Sequence, residues 1–463
     1  MTLKSLTPLI AFLLTIFIVI YLFGGFEKVW ATSDILPGII INETNIGGQS
    51  KQKAEEKLVA MEKKIINTPV IITNGDQSWS LSLNKVGLKV DIGETLRRAM
   101  SIGRQGSFVD QLKTRHQIKK NGYILQPIIT VDQESLSTEV KRLAKHLNIP
   151  AKNASFSIGE DDSVTITPSQ NGQRIDIERL KLVLEQELLV RDNVELTIPV
   201  KKVKPEFTTQ DIKEMGVSGL LSRFTTKFNP DLVNRSYNIR VAANALDGLL
   251  VVPGEEVSFN EVVGPRSSEA GYKEAGVIVN NEMVDGLGGG VCQVSTTLYN
   301  AVLLANLEVV DRKNHSLPIS YVPIGRDATV VYGIVDLKFI NNTGRCIYIK
   351  TKVKDAQVTI KIYGDVSKKK TVAINSWVEE VLPQEVQYEE DNNLKRGQRI
   401  IKQEGSKGYI AHAERLVIKN GEVLKREELP ISKYNPVEKV IAIGIAEPET
   451  AITPSSDLES TKK

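Results

Sequence analysis

One of the two cysteines of the chain, Cys292, stands where a glycine cluster meets the start of a predicted helix. The run from Gly286 to Val302 reads GLGGGVCQVSTTLYNAV, and apolar residues recur at helical spacing from Val294 onward. A thiol at a helix N-terminus lies near the positive end of the helix dipole and near unpaired N–H groups, which favour the thiolate. Cys292 is therefore a candidate nucleophile.

A cysteine nucleophile needs a base, and the base needs a group that orients it. His315 lies downstream of Cys292, just ahead of an apolar run, and Asp327 follows it. We expect Cys292 as nucleophile, His315 as base and Asp327 as the orienting carboxylate. The loop glycines, the polar residues of the predicted helix and one downstream arginine are candidates for ligand binding: Gly288, Gly289, Gly290, Gln293, Ser295, Thr296, Tyr299 and Arg326.

Two other interpretations of the motif stay open at this point. The same loop geometry suits a bound carboxylate or phosphate, although the lysine of a nucleotide-binding loop is missing. In an exported chain, Cys292 and Cys346 can instead form one structural disulfide. The four histidines are scattered and no metal-binding spacing occurs, so we expect neither a metal nor another cofactor.

The segment before the motif contains polar residues that either bind a ligand or satisfy turns and helix caps. For any one of them we expect the structural role, because polar residues near turns commonly satisfy backbone groups. They are Asn234, Arg235, Asn238, Arg240, Asn260, Arg266 and Tyr272.

The elements around these candidates predict a multidomain α+β chain. In residues 35–204, a helix-strand-strand-helix pattern occurs twice: Gly87 to Ile92 (GLKVDI) is echoed about 85 residues later by Gly172 to Ile177 (GQRIDI). We expect two copies of one small α+β module in this region. Chance likeness between two ordinary α+β segments is the alternative.

The remaining segments differ in composition and in the pattern of apolar residues. Residues 207–364 are rich in glycine and apolar runs and predict a central α+β domain. Residues 372–446 alternate apolar and charged side chains, which predicts a mostly-β domain of hairpins, with a tight turn at Asn420-Gly421. Residues 447–463 have few apolar side chains to bury, so we expect a disordered tail.

The N-terminus predicts a membrane anchor. No charge occurs from Ser5 to Phe26, a span of about 20 residues, and Lys4 precedes it. We expect residues 1–28 to form a short cytoplasmic N-terminus and a single transmembrane helix, with the bulk of the chain extracytoplasmic. A signal peptide cleaved after Ala31 is the alternative. The net charge of +3, without a basic patch, excludes nucleic acid as a partner.

Three segments that occur in order resemble the VanW family: NRSYNIRVAANALDGLLVVPGEEVSFNEVVG, EAGYKEAGVIVNNEMVDGLGGGVCQVSTTLYNAVL and NHSLPISYVPIGRDATVVYGIVDLKFINNTG. They lie within residues 207–364. The duplicated region resembles a peptidoglycan-binding domain that often precedes it. Residues 372–444 resemble a G-five domain, with matching glycines at 397, 405, 408, 421 and 444.

The resemblance implies a cell-surface protein that works on peptidoglycan, without implying a settled reaction. Our leading expectation is a membrane-anchored, extracytoplasmic, cell-wall-associated protein that binds peptidoglycan and acts in wall maturation or glycopeptide resistance. One alternative is a cysteine-dependent acyl transferase or hydrolase of peptidoglycan stem peptides. The other is an adhesion or scaffold protein. The expected partners are a cell-wall polymer and, through the N-terminal helix, the membrane.

Overall fold

The computed structural model describes residues 12–16, 18, 34–188, 194–279 and 282–446. Two compact units divide the chain: the first contains Met1–Lys152 and Gln170–Glu206, the second Asn153–Ser169 and Phe207–Lys463. Both units mix helices with small sheets, and the C-terminal part is built from strands. The chain is thus a multidomain α+β protein with a β-rich C-terminal region.

The elements are numbered from residue 34 onward. The helices are α1 Lys51–Ile66, α2 Ile92–Ser101, α3 Phe108–Asn121, α4 Gln133–Leu143, α5 Ile177–Glu187, α6 Thr209–Met215, α7 Val233–Leu246, α8 Phe259–Val263 and α9 Val291–Leu304. The strands before α6 are β1 Ile39–Ile41, β2 Thr44–Asn45, β3 Val70–Asn74, β4 Gln77–Leu81, β5 Lys89–Val90, β6 Tyr123–Leu125, β7 Ile129–Thr130, β8 Ser155–Ile158, β9 Val164–Thr167, β10 Gly172–Ile175, β11 Val194–Thr197 and β12 Val200–Val203.

The later strands follow the same numbering. Those up to residue 364 are β13 Gly219–Lys227, β14 Leu250–Val251, β15 Glu256–Ser258, β16 Glu274–Val279, β17 Glu282–Leu287, β18 Glu308–Asp311, β19 Lys338–Ile340, β20 Ile347–Lys354 and β21 Gln357–Gly364. The rest are β22 Thr371–Leu382, β23 Val386–Lys395, β24 Arg399–Gln403, β25 Gly408–Lys419, β26 Glu422–Glu428, β27 Ser432–Tyr434 and β28 Lys439–Ala446. We call β22 to β28 the C-terminal β region.

The echoed sequence segments of the first unit form the same local structure. In each, a strand is followed directly by an aspartate that caps a helix: the Asp91 side chain accepts the N–H of Glu94 at the start of α2, and Asp176 accepts that of Arg179 at the start of α5. Such caps satisfy backbone donors that the first helical turn leaves free. Beside them, β11 pairs in parallel with β3, a strand more than 100 residues earlier, in the sheet β11-β3-β4.

The second unit is centred on the antiparallel sheet β13-β21-β20-β14. The helix α9 packs on β13 and β21, while α7 packs on β20. Two buried hydrogen bonds tie α9 to β13: Ser222 Oγ donates to the Ala301 carbonyl at 2.7 Å, and the hydroxyls of Thr226 and Thr297 lie 2.8 Å apart. The middle and the second half of α9 are thereby fixed on this sheet.

Two further elements adjoin this sheet in the second unit. The hairpin of β16 and β17 leads through the glycine loop into α9. The strands β15, β19 and β18 form a separate sheet, and the chain between β18 and β19 carries both His315 and Asp327.

Two sheets form the C-terminal β region, one with the order β22-β25-β26 and β27 against β25, the other with the order β23-β28-β24. The predicted turn at Asn420-Gly421 is confirmed: both residues have positive φ, and Lys419 pairs with Glu422 across it. This geometry is that of the two-residue hairpin turns favoured by Asn-Gly.

The expected N-terminal transmembrane helix is the part of the predicted fold that was wrong. Within the described residues, no helix is long and apolar enough to cross a membrane. The expected single-pass location and membrane partner are not supported by the described residues. Residues 12–16 and 18 are helical, but most of the predicted span lies outside the described residues, as does the expected disordered tail at 447–463.

Candidate active site

The glycine loop gives α9 an unusual start. Gly290 is the N-cap residue and has a φ of 107°, a conformation that side chains other than glycine rarely adopt. A Cβ on Gly289 would lie 2.6 Å from the Ala275 carbonyl oxygen, so the close approach of β16 requires glycine there as well. Cys292 is then the second residue of the helix, where a backbone N–H has no partner within the helix.

Hydroxyl side chains of α9 hold the segment that carries Asp327. Ser295 Oγ donates to the Ala328 carbonyl at 2.7 Å, and Thr296 Oγ1 accepts the Ala328 N–H at 3.0 Å. One turn of α9 is thus hydrogen-bonded to both the carbonyl and the N–H of Ala328. The residues after Ala328 consequently run beside the Cys292 thiol.

The Cys292 thiol is half-buried and has several polar neighbours. The Val330 N–H donates to Sγ at 3.5 Å, and the Thr329 hydroxyl lies 3.6 Å from Sγ. The His315 side chain is a further neighbour and lines the same cleft. Burial raises the pKa of the thiol, but the hydrogen bond and charge of His315, with Val330 and Thr329, outweigh burial and lower the pKa to about 7. The site thus favours a thiolate.

The imidazole of His315 connects the thiol to Asp327. Its Nδ1 lies 2.6 Å from Asp327 Oδ2, which leaves Nε2 as the ring nitrogen that can serve Cys292. Burial lowers the pKa of His315, while the hydrogen bonds with Asp327 and Cys292 raise it more, to about 9. Between about pH 7 and pH 9, the pair is therefore a thiolate and an imidazolium.

Asp327 is a buried carboxylate with four donors. Oδ2 accepts both the backbone N–H and Nδ1 of His315, each at 2.6 Å. Oδ1 accepts the Tyr434 hydroxyl at 2.5 Å and Arg312 Nη2 at 3.3 Å. Burial raises the pKa of Asp327, but His315 and Arg312 lower it more, so the carboxylate is ionised and orients the imidazole.

The triad opens onto a cleft of about 1470 Å³. Its lining includes residues of the hairpin of β16 and β17, together with Tyr321 and Tyr332. Glu274 and Asp285 bring acidic groups to the cleft, and Arg235 and Arg266 bring basic ones. A cleft of this size accommodates several residues of a peptide.

Arg266 is a cation beside the thiol that lacks a full set of hydrogen bonds. Its Nη1 donates to the Gly264 carbonyl at 2.9 Å, whereas buried Nη2 has no partner among the described residues. The guanidinium lies 5.5 Å from the Phe259 ring centroid and 5.8 Å from that of Tyr332. Burial lowers the pKa of Arg266, and the charge of the Cys292 thiolate opposes this, so the arginine and the thiolate stabilise each other.

The predicted catalytic residues lie together, and the predicted ligand-binding residues divide into two groups. Gly288, Gly290 and Gln293 line the cleft. The others lie behind it and support the site: Gly289, Ser295, Thr296, Tyr299 and Arg326. Arg326, for example, donates from Nε to Asn300 Oδ1 at 2.9 Å. Cys346 and Cys292 are both free thiols, and Cys346 packs in a separate cluster with Val217 and Tyr363, which removes the disulfide interpretation.

Two residues that contact Asp327, Arg312 and Tyr434, were not among the predicted site residues. Arg312 is buried with its guanidinium 5.3 Å from the Tyr299 ring centroid, and Tyr434 is fully buried. A lone arginine after β18 and a tyrosine in a distant strand follow no periodic pattern. Only their buried position beside a carboxylate identifies them.

Known protein families match three parts of the chain. The model described as "VanW like protein" matches residues 234–363, which include all three triad residues. The model described as "Putative peptidoglycan binding domain" matches residues 79–195, and that of the G5 domain matches residues 374–446. These matches confirm the resemblances found in the sequence and identify a cell-wall-associated protein.

Individual relatives agree with these families. The chain is 34% identical to the uncharacterized protein YoaR of Bacillus subtilis over 233 residues, which are 50% of this chain and 75% of YoaR. It is 31% identical to the vancomycin B-type resistance protein VanW of Enterococcus faecalis over 137 residues, which are 28% of this chain and 50% of that protein. The solved G5 domain of an IgA1 protease is 21% identical and covers 17% of this chain and 95% of its own, with a TM-score of 0.14. The sequence relatives of the chain, together with the family match around the triad, show that the chain belongs to the VanW-like protein family.

Proposed function

We propose that the protein is a cysteine acyl transferase or hydrolase that acts on peptides of the cell wall. The observation that supports this most strongly is that Cys292 and His315 line one large cleft, with His315 Nδ1 2.6 Å from the buried carboxylate of Asp327. A thiolate, an imidazolium and an orienting carboxylate are the parts that acyl transfer through a cysteine requires.

The first half of the proposed reaction forms a thioester. The Cys292 thiolate attacks the carbonyl carbon of a peptide bond, and a C–S bond forms while the carbonyl oxygen becomes an oxyanion. The backbone N–H of Cys292, at the start of α9, stabilises that oxyanion, an effect worth roughly 3 kcal/mol. His315 then gives its Nε2 proton to the leaving nitrogen as the C–N bond breaks. An amine is released, and the acyl group stays on Sγ.

The second half returns the enzyme to its initial state. An acceptor amine or water attacks the thioester carbonyl, and neutral His315 takes its proton at Nε2. The C–S bond breaks, and the thiolate and the imidazolium form again. An amine acceptor gives a new peptide bond, whereas water gives a carboxylate. The two reactions differ only in the acceptor.

The proposed substrate class is the stem peptide of peptidoglycan. The match of residues 79–195 to a peptidoglycan-binding family supports a wall location for the chain. The cleft supports a peptide with charged groups of both signs, because Arg235 and Arg266 line it together with Glu274 and Asp285. Stem peptides carry free carboxylates and amines, which suit such a lining.

Incubation of the purified chain with muropeptides tests the proposal. Mass spectrometry should detect a peptide product and, after acid quenching, an acyl adduct on Cys292. Cys292→Ala should abolish both, and Cys346→Ala should preserve both, since Cys346 is a free thiol in a separate cluster. The unsubstituted chain should be tested on stem peptides with and without a terminal carboxylate. If it leaves both unchanged, the proposed enzymatic activity is ruled out.

A wall-binding role is the second candidate, and the peptidoglycan-binding match favours it. In that role the chain is an extracytoplasmic factor of wall maturation, and its similarity to a vancomycin-resistance protein makes glycopeptide susceptibility a useful measurement. Retention of the chain on purified sacculi, together with no muropeptide turnover, would support binding or scaffolding alone. Retention of Cys292→Ala at the level of the unsubstituted chain separates binding from catalysis, and no retention of either removes the binding role.

A further inference from the structure

A strand of the C-terminal β region ends beside the triad. This strand, β27, pairs antiparallel with β25, so that Ser432 lies opposite Ala411 and Tyr434 opposite Tyr409. Much of the region is exposed, yet the side chains of Ser432 and Tyr434 are both completely buried. Both are hydrogen-bonded to residues that hold the triad.

The Tyr434 hydroxyl bridges two parts of the Asp327 segment. It donates to Asp327 Oδ1 at 2.5 Å and accepts the Gly325 N–H at 2.9 Å. Burial and the charge of Asp327 raise the pKa of Tyr434, so the hydroxyl keeps its proton and acts as a donor. His315 occupies the other carboxylate oxygen, which leaves Oδ1 to Tyr434 and Arg312.

Ser432 is hydrogen-bonded to Arg312, the second donor to Asp327 Oδ1. Its hydroxyl accepts Arg312 Nη1 at 2.9 Å, while Arg312 Nε donates to the Asp327 carbonyl at 2.6 Å. Only 2% of the Arg312 side chain is exposed, so its charge and direction depend on these partners. Both donors to Asp327 Oδ1 are therefore fixed by β27.

The backbone around His315 is attached to the same strand. The Asn435 N–H donates to the Ser316 carbonyl at 2.7 Å. On the other side of His315, Asn314 Nδ2 donates to the Lys433 carbonyl at 2.8 Å and to the His315 carbonyl at 2.7 Å. Residues on both sides of His315 are thus fixed to β27 or to the residue that follows it.

We propose that β27 completes the reaction centre, with Tyr434 as the positioning residue that fixes Asp327 and, through it, His315. The inference rests on the proposed function of the triad. It assigns the C-terminal β region a part in the chemistry, in addition to any part in wall attachment. The central domain then has an incomplete carboxylate site without this strand.

Removal of the Tyr434 hydroxyl has two effects, and both raise the pKa of Cys292. Ionisation of Cys292 adds one negative charge to the buried triad, and the hydroxyl dipole aimed at Asp327 stabilises that charge. A carboxylate free to rotate also holds the imidazolium less well, and the imidazolium is what lowers the thiol pKa. Loss of the hydroxyl therefore raises the pKa of Cys292.

Alkylation of Cys292 by iodoacetamide across pH tests this in the full chain. Cys346→Ala leaves Cys292 as the single thiol, because the chain has two cysteines. In that background we expect Tyr434→Phe to move the alkylation profile to higher pH and to lower the rate at about pH 6 by roughly three- to tenfold. Ser432→Ala should shift it in the same direction by less. Tyr409→Phe, which removes a hydroxyl from the neighbouring strand, is the matched control and should overlay the parent.

The outcomes separate this inference from the proposed function. An unchanged alkylation profile in a folded Tyr434→Phe variant overturns the inference, and so does an equal shift in Tyr409→Phe. If Tyr434→Phe does not fold by circular dichroism, Ser432→Ala decides by the same criterion. A shifted profile in a chain that turns over no muropeptide refutes the proposed reaction and leaves the positioning role standing.

Discussion

Asp327 accepts two hydrogen bonds from His315 on one oxygen, since both the backbone N–H and the ring Nδ1 of His315 lie 2.6 Å from Oδ2. The backbone bond fixes the carboxylate relative to the main chain, and the ring bond fixes the imidazole relative to the carboxylate. As a result, Nε2 is presented to Cys292 in one ring orientation. The orientation of the imidazole towards the thiol therefore depends on Asp327. The position of Cys292 is set separately, by α9.

Asp327→Asn is expected to abolish most of the reactivity. An amide can donate to Nδ1 and so stabilise the wrong imidazole tautomer, and it removes the charge that keeps His315 protonated. We expect muropeptide turnover to fall by roughly a thousandfold. The thiol pKa should rise, as measured by iodoacetamide alkylation.

Asp336→Asn is the matched control for this substitution. Asp336 accepts the Ser258 hydroxyl and the Asn260 N–H at the start of α8, outside the triad. Its loss should lower the melting temperature and leave the alkylation profile in place. Equal effects of both substitutions on that profile would contradict the role given to Asp327.

Turnover should depend on pH through two ionisations. The reaction needs the Cys292 thiolate, which forms as pH rises through about 7, and the His315 imidazolium, which is lost as pH rises through about 9. We therefore expect kcat/KM to rise through the first value and fall through the second. Alkylation by iodoacetamide needs no proton from His315, so its rate should not fall above about pH 9. A turnover profile with one ionisation near the usual thiol pKa would exclude the ion pair.

The local part of the site could be predicted from the sequence, because local rules determine it. A glycine cluster before a periodic segment predicts a helix start, and Cys292 does lie in the first turn of α9. Helical spacing also places Cys292, Ser295 and Thr296 near one another. The spacing does not predict what covers that side of the helix. Ser295 and Thr296 are covered by the segment that contains Ala328, whereas Cys292 faces the cleft.

The non-local part of the site has no comparable signal. Tyr434 lies 107 residues from Asp327 in the chain, and no repeat or spacing links the two. The α+β organisation and the β-rich C-terminal region follow from periodicity, but periodicity does not show that β27 docks on the segment carrying His315. Hydrophobicity at the N-terminus predicted a membrane helix from composition alone, and the described helices do not support it.

Arg266→Gln is expected to raise the thiol pKa of Cys292. The guanidinium is partly buried near the thiolate, where water screens their attraction less than at the surface. We expect the alkylation rate at about pH 6 to fall by roughly two- to fivefold, with the same rate as the parent once the thiol is fully ionised. Arg240→Gln, on the exposed side of α7, is the control. A rate lowered equally at every pH would indicate a change in access instead of charge.

Thr296→Val tests whether α9 holds the segment that carries Asp327. The substitution keeps the shape of the side chain and removes the acceptor of the Ala328 N–H, which is completely buried. A buried donor without a partner costs about 1–3 kcal/mol, so the free energy of unfolding should fall by that amount. Alkylation of Cys292 should also slow near neutral pH, because the segment with Asp327 is held less firmly.

Thr225→Val provides the comparison for this last substitution. Thr225 Oγ1 lies 2.8 Å from the Thr359 hydroxyl on the exposed side of the sheet, where water can replace the lost partner. We expect a change within about 0.5 kcal/mol in urea denaturation. Equal destabilisation by both substitutions would show that loss of any threonine hydroxyl lowers stability here. A stability loss in Thr296→Val with unchanged alkylation would mean that Arg312 and Tyr434 alone hold Asp327 in place.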